Sequence, residues 1–253
     1  MNTVYLVGAG PGAPDLLTLR AARLLGEADI VFHDALIGPE ILALAPQAQK
    51  VAVGKRCGRH STAQHFINKR LLDAARRYQV VVRLKGGDPM LFGRAHEEIS
   101  FLENKNIQVE IIPGITAALA AAAEHRVSLT QRGLSRTVVF ATPRVADGAL
   151  PSNWEKAVAA ADTAVLYMAA NDASLVKEAL IKAGMRADTP VAIAESVSSP
   201  QSALHAGTLA DLPDLAKRLK GGPALLLVGE LFAALQAHAE RGRLAPRTAS
   251  QSA

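Results

Sequence analysis

The amino-acid sequence predicts an α/β fold, built as two α/β domains. Three observations carry that expectation. Short apolar runs of strand length alternate with segments whose apolar residues recur at helical spacing, the pattern of parallel strands joined by crossover helices. Pro113-Gly114 breaks the alternation, and a second series of strand-like runs follows it. The 253 residues, 49% hydrophobic and 20% charged, suffice for one large or two medium domains of ordinary soluble composition.

Taken in order, the strand candidates of the first half are Val4–Gly8, Ile30–His33, Val51–Val53, Val80–Leu84 and Val109–Ile112. Between them Leu16, Leu17, Leu19, Leu24 and Leu25 form one helical face, and Ile67, Leu71, Leu72 and Ala75 another. A helix of small residues is expected from Ile115 to Ala123. The second series comprises Thr137–Ala141, Thr163–Met168, Val191–Ala194, Ala203–Gly207 and Ala224–Gly229, with a loop over Ala146–Asn153. The expected domains are residues 1–113 and 114–240, followed by a polar, flexible tail over 241–253.

Composition narrows the function classes. A charge of +5 and a pI near 9.5 suit a polyanionic partner. Aromatics make up only 4%, and basic residues run no further than pairs such as Arg76-Arg77, so the stacking platforms that hold single-stranded nucleic acid are missing. The basic balance by itself suits nucleic acid, a membrane surface or a polyanionic small molecule, and the scarcity of aromatics argues against single-stranded nucleic acid, so no nucleic-acid partner is expected. No apolar stretch reaches the roughly 18–20 residues that span a bilayer. The first residues enter a strand without a leader pattern. The single cysteine, Cys57, permits no internal disulfide, and a cytoplasmic setting is expected. His33, His60, His65, His96 and His125 show no ligand spacing with cysteine or carboxylates, and no metal site is expected.

Chemistry concentrates in Arg83–Glu98, R-L-K-G-G-D-P-M-L-F-G-R-A-H-E-E. An apolar strand that ends in Lys-Gly-Gly-Asp-Pro cannot continue. The glycines accept backbone conformations that other residues resist, and Pro89 stops the ladder. The strand then gives way to a backbone-lined hollow at its carboxyl end, where open α/β sheets bind small molecules. Arg94 and Glu97 put opposite charges on one face of the next helix; by themselves they read equally as an exposed ion pair. Gly8-Ala9-Gly10-Pro11-Gly12-Ala13 closes the first strand and imitates a dinucleotide fingerprint, with Asp34 where a ribose-binding carboxylate would sit. Pro11 counts against that reading, because it removes an N–H donor from the loop that should cradle a pyrophosphate.

Five segments in order resemble the tetrapyrrole methylases: V-Y-L-V-G-A-G-P-G (Val4–Gly12), V-G-K-R (Val53–Arg56), the R-L-K-G-G-D-P string from Arg83, I-P-G-I-T-A (Ile112–Ala117) and S-L-T-Q-R-G (Ser128–Gly133). The resemblance runs from Val4 to Leu235. It implies two α/β domains with a ligand cleft between them, a homodimer, and S-adenosyl-L-methionine as methyl donor. The similarity is greatest to the members that methylate uroporphyrinogen III at two ring carbons to give precorrin-2. It implies that Pro11, Gly86, Gly87, Asp88, Thr116, Ala117, Met168 and Ala224 bind the cofactor. It places Asp34, Arg94, Glu97 and Arg132 on the substrate side, with Arg94 and Glu97 as the catalytic pair.

The residue types fit those roles. Uroporphyrinogen is a polycarboxylate, which guanidinium forks recognise. Carbon methylation ends in loss of a ring proton, which calls for a base. Thr116 stands at a helix start, where N–H groups and a hydroxyl can hold a carboxylate, although a plain cap reads as well. Without the resemblance Met168 is core packing. The chain departs from the family pattern at Ala95 and His96, where glycines are common, at His33 and Ala35, at Gln131, at Thr142-Pro143-Arg144, at Ala169 and at Val197. The cofactor loops are thus better kept than the substrate wall. Three alternatives stay open: a later corrin intermediate, ribosomal RNA, or a nicotinamide-dependent oxidoreductase using Gly8–Ala13 and Asp34.

Overall fold

A computed structural model describes residues 3–53, 60–144 and 152–235, with side chains for all of these except 60–63. The V-G-K-R segment beyond Val53, Cys57, the His60 side chain, the expected loop as far as residue 151 and the expected tail lie outside the described residues. The chain divides into two compact units, one up to Ala120 and one from Ala121 onward.

The first unit runs β1 (Thr3–Gly8), α1 (Leu19–Glu27), β2 (Ile30–His33), α2 (Pro39–Leu42), β3 (Gln49–Ala52), α3 (His60–Ala75), β4 (Val80–Lys85), α4 (Ala95–Glu103) and β5 (Gln108–Ile112), and leads into α5 (Ala117–Glu124). Its sheet has the order β3-β2-β4-β1-β5, and every pairing is parallel. A parallel sheet covered on both faces needs strands that are apolar on both sides, which is why Val4–Val7 and Val80–Leu84 read as continuous runs. Val7, Val31, Val82 and Leu84 pack with Leu24, Leu25 and Ile41 of α1 and α2. Val4, Leu6, Phe32 and Val81 pack with Leu71 and Leu102 of α3 and α4. The helix expected over Leu16–Leu25 begins later than the leucines suggest. Thr18 caps α1 by accepting from Ala21 N at 3.2 Å. Leu16 therefore ends a short 3-10 turn, Leu17 follows it outside α1, and Leu19 at the first turn is 93% exposed.

The second unit runs β6 (Val138–Ala141), α6 (Trp154–Ala160), β7 (Thr163–Tyr167), α7 (Ala173–Lys182), β8 (Pro190–Glu195), β9 (Ala203–Thr208), α8 (Leu212–Ala216) and β10 (Ala224–Val228). Its order is β6-β7-β10-β8-β9. Only β6 and β7 pair in parallel; β10 runs antiparallel to both β7 and β8, and β9 antiparallel to β8. The parallel logic of the sequence thus holds for the first sheet, while the second is mixed. Leu166, Ile193, Leu226 and Val228 of this sheet pack with Val158, Val176, Leu180 and Leu215 of α6, α7 and α8. Asp162 ties the two parallel strands at their starts, accepting from Arg136 N at 2.8 Å, Thr137 N at 2.9 Å and Thr137 Oγ1 at 2.9 Å.

Candidate active site

Three loops converge at the carboxyl ends of β1, β4 and β5, and they meet through main chain. Gly10 N donates to Gly87 O at 3.1 Å and Gly87 N to Gly10 O at 2.7 Å, while Ala9 N donates to Lys85 O at 2.8 Å. Gly10 and Gly87 both take positive φ, +69° and +67°, a conformation that favours glycine. Gly8 and Gly114 lie so close that a Cβ on Gly8 would sit 2.6 Å from the Gly114 Cα. Asp88 fastens the arrangement. Its Oδ2 accepts from Gly114 N at 2.9 Å and its Oδ1 from Met90 N at 2.8 Å. The glycines that imitate a dinucleotide fingerprint are thus used to bring one loop against another, and the Gly10 amide is already engaged.

Of the residues expected to bind cofactor, Pro11, Gly86, Gly87, Asp88 and Thr116 fall on these three loops, and Ala117 opens α5 directly after the third. Gly86 is exposed and Gly87, Asp88, Pro11 and Ala117 are half-buried. Thr116 precedes α5, and its carbonyl accepts from Leu119 N at 3.1 Å and Ala120 N at 3.3 Å. The start of α5 therefore brings the partial positive charge of a helix N-terminus to the loop cluster. A ligand with a carboxylate and a small, hydrogen-bonding polar body fits this surface: glycine backbone below, a helix start at one side, and no bulky side chain on the exposed Gly86 turn.

Arg94 and Glu97 form the bidentate pair expected of them. Nε donates to Oε1 and Nη2 to Oε2, both at 2.6 Å. The pair is not carried on one helix face, however. Arg94 precedes α4 with φ of 56°, in the left-handed region, so the two side chains close a turn at the exposed entry to the helix. The hydrogen bond from Arg94 holds the Glu97 carboxyl below its ordinary range, and the same bond raises Arg94.

Asp34 follows β2, and its Oδ1 accepts from Arg83 Nη2 at 2.5 Å. Arg83, Lys85 and Glu98 form with it a buried cluster that the sequence did not lead us to expect. The available signal was two cations at alternate positions of an otherwise apolar strand, V-V-V-R-L-K. Burial opposes the charge on Arg83, yet Glu98 and Asp34 beside it keep its pKa above the ordinary arginine value. Burial and the neighbouring Arg83 push Lys85 down.

In the second unit Met168 and Ala224 meet at one end of the sheet. Tyr167 pairs with Leu225, so the residue after β7 lies beside the residue that opens β10. Met168 has φ of 57° and is 43% exposed, which is not core packing. Glu195 sits beside them, paired in register with Ala224. Its Oε1 accepts from Lys220 N and Gly222 N, each at 2.8 Å, and fixes the turn that delivers Ala224. Arg132 lies elsewhere. It is exposed on the turn Gln131–Ser135, and Ser135 Oγ bonds Thr163 Oγ1 at 2.8 Å, at the start of β7 rather than its end. Among the described residues Arg132 has no ion-pair partner, and no group of three or more histidine, cysteine or acidic side chains is arranged to hold a metal.

A parallel sheet with glycine loops at the carboxyl ends of its strands places the chain in the α/β class. Residues 3–213 match the tetrapyrrole (corrin/porphyrin) methylases, and the chain belongs to that family. It is 45% identical over 230 residues to the siroheme synthase of Pseudomonas fluorescens strain Pf0-1, covering 90% of this chain and 50% of that protein. It is 42% identical over 232 residues to the siroheme synthase of Nitrosococcus oceani, covering 91% of this chain and 50% of that protein. The chain thus spans about half the length of these relatives. Among solved structures, uroporphyrin-III C-methyl transferase from Thermus thermophilus bound to S-adenosyl homocysteine superposes with a TM-score of 0.79 at 37% identity, covering 90% of this chain and 92% of that one. A cobalt precorrin-4 methyltransferase superposes at 0.80 with 28% identity, covering 91% of this chain and 95% of that one.

Proposed function

We propose that the chain transfers methyl groups from S-adenosyl-L-methionine to two ring carbons of uroporphyrinogen III, giving precorrin-2. The observation that carries the donor is the convergence of the loops bearing Gly10, Gly86-Gly87-Asp88 and Thr116, where the exposed Gly86 turn lies on the same loop cluster as the start of α5, whose partial positive charge suits a ligand with an α-carboxylate. The similarity to a methyltransferase solved with S-adenosyl homocysteine supports the same reading. The substrate rests on that likeness and on the two siroheme synthases, together with the exposed guanidinium group of Arg94.

The donor supplies an electrophilic methyl group on sulfur. The protein's part is alignment, exclusion of water and handling of one proton. Within the second unit Met168 and Ala224 come together at one end of the sheet, and Glu195 holds the turn before Ala224. Glu97 as found here is a weak base, since Arg94 satisfies both of its oxygens. A carboxylate of the substrate competes for that guanidinium by the same bidentate geometry. Arg94 turned onto the substrate releases Glu97, raises its basicity and places it near the ring to assist proton loss. The proposal extends to a homodimer in the cytoplasm, as the resemblance to the tetrapyrrole methylases implies.

The purified chain, incubated anaerobically with S-adenosyl-L-methionine and uroporphyrinogen III, should yield a product heavier by two methyl groups on mass spectrometry. Methylation of a later corrin intermediate with none of uroporphyrinogen III would overturn the substrate and keep the donor. Binding of a nicotinamide dinucleotide without binding of S-adenosyl homocysteine in calorimetry would overturn both.

A further inference from the structure

Arg83, Lys85 and Glu98 have no part in the proposed reaction, yet they are charged and deeply buried. Their side chains are 3%, 5% and 0% exposed. Strand periodicity explains how they meet. Val81, Arg83 and Lys85 share one face of β4, and Ile30, Phe32 and Asp34 follow the same alternation along β2, with Phe32 opposite Arg83 in register. That face is covered by α3 and α4, which bring Gln64, Asn68 and Glu98. Glu98 Oε1 accepts from Arg83 Nε at 3.2 Å and from Gln64 Nε2 at 3.2 Å, and Glu98 Oε2 accepts from Lys85 Nζ at 3.1 Å. Gln64 Nε2 also donates to Asn68 Oδ1 at 2.9 Å, which holds it in place. The guanidinium is then spread over three acceptors: Nε on Glu98, Nη1 on Leu84 O at 3.1 Å, and Nη2 on Asp34. The contacts run from a fully buried carboxylate to one that is 32% exposed. Buried charges contribute little to stability after desolvation, so a network that ends on a half-exposed carboxylate at the carboxyl end of β2 calls for another explanation.

We propose that Glu98 and Arg83 are positioning residues for Asp34, forming a relay that fixes the direction of that carboxylate so that it accepts hydrogen bonds from the pyrrole N–H groups of a reduced tetrapyrrole. The inference rests on the proposed function and deepens it. An ionised carboxylate can only accept hydrogen bonds. The rim of a polycarboxylate substrate repels it, and the ring nitrogens are the donors such a substrate carries. Arg83 cannot serve the substrate directly, because it is enclosed and its Nε and both terminal nitrogens already have partners. Lys85 balances Glu98, so that the quartet of Asp34, Glu98, Arg83 and Lys85 sums to no net charge.

A double-mutant cycle separates this from a structural role. Asp34→Asn should lower kcat/KM on uroporphyrinogen III about a hundredfold, and Glu98→Gln by roughly tenfold, the scale of a small misplacement of a contact group. In the Asp34→Asn background Glu98→Gln should change kcat/KM by less than about twofold, since it has nothing left to position. The Kd for S-adenosyl homocysteine should stay within about twofold of wild type throughout. Because Glu98→Gln leaves an excess buried cation, Glu98→Gln combined with Lys85→Met removes one charge of each sign and asks the same question of a neutral cluster. Multiplicative losses, or an unchanged kcat/KM in Glu98→Gln, overturn the relay. A wild-type chain that does not methylate uroporphyrinogen III overturns the substrate, and the N–H contact with it, before any substitution is made.

Discussion

Replacing Gly8 with alanine puts a methyl carbon 2.6 Å from both the Cα and the N of Gly114 and 2.8 Å from Gly87 O. Ordinary carbon contacts begin near 3.5 Å, so the overlap approaches about 1 Å against each of these atoms. All are main chain, and none can swing aside as the end of a side chain would. The loops after β4 and β5 must therefore move away from β1, and the pairing of Gly10 with Gly87 moves with them. Overpacking of this kind costs about 1–3 kcal/mol, and a rigid backbone contact belongs at the upper end. If half of that strain falls on the ligand-holding arrangement, affinity drops roughly tenfold. The assay is calorimetric titration with S-adenosyl homocysteine alongside urea unfolding, with Gly26→Ala as the control. An unfolding midpoint and a Kd both indistinguishable from wild type would refute the claim that these glycines are required by backbone approach and that the ligand rests on them.

Gly26 lies inside α1 with open space around its Cα, so Gly26→Ala should raise stability by about 0.5–1 kcal/mol, read as a higher urea midpoint. Glu97→Gln should lower turnover by roughly 10²–10⁴ while leaving the Kd for S-adenosyl homocysteine unchanged; full turnover would return the pair to a surface salt bridge. Asp162 gives a pH signature. Backbone amides of Arg136 and Thr137 hold its pKa below the ordinary 3.8, so its contribution is present above that value and is lost as pH falls through the folded-state pKa. The gap in urea midpoint between wild type and Asp162→Asn should therefore be widest near neutrality and should shrink below pH 3.8, and a gap constant from neutral to acid would contradict the assignment.

The positions of the strands were legible in the sequence because burial on two faces demands unbroken apolar runs. Ile30–His33 agrees end to end, and the others differ by a residue or two at their margins. Which strand lies beside which was not legible; the alternation of strands and helices announced only that the first sheet is parallel. The insertion of β10 between β7 and β8 depends on long-range pairing, and nothing in A-L-L-L-V announces its direction. The glycine loops were legible as loops, but their imitation of a dinucleotide fingerprint dissolves only when Gly10 is seen bonded to Gly87. Glu98 was the hardest to read. A glutamate next to Glu97 on a helix looks solvated, and only the packing of α3 and α4 over Arg83 and Lys85 encloses it. Met168 hid for a different reason: its left-handed backbone is set by the turn after β7, not by a residue type that favours it.

A platform composed of peptide groups carries almost no information about side chains. It tolerates drift at every neighbouring position that leaves the glycines alone, because the atoms touching the ligand are the same whatever amino acids surround them. Ala95 and His96, which replace glycines usual in the family, lie at the start of α4 and do not belong to the Gly8–Gly87–Gly114 stack. On the proposed function, substitutions around α4 should change substrate preference while the Kd for S-adenosyl homocysteine stays as it is.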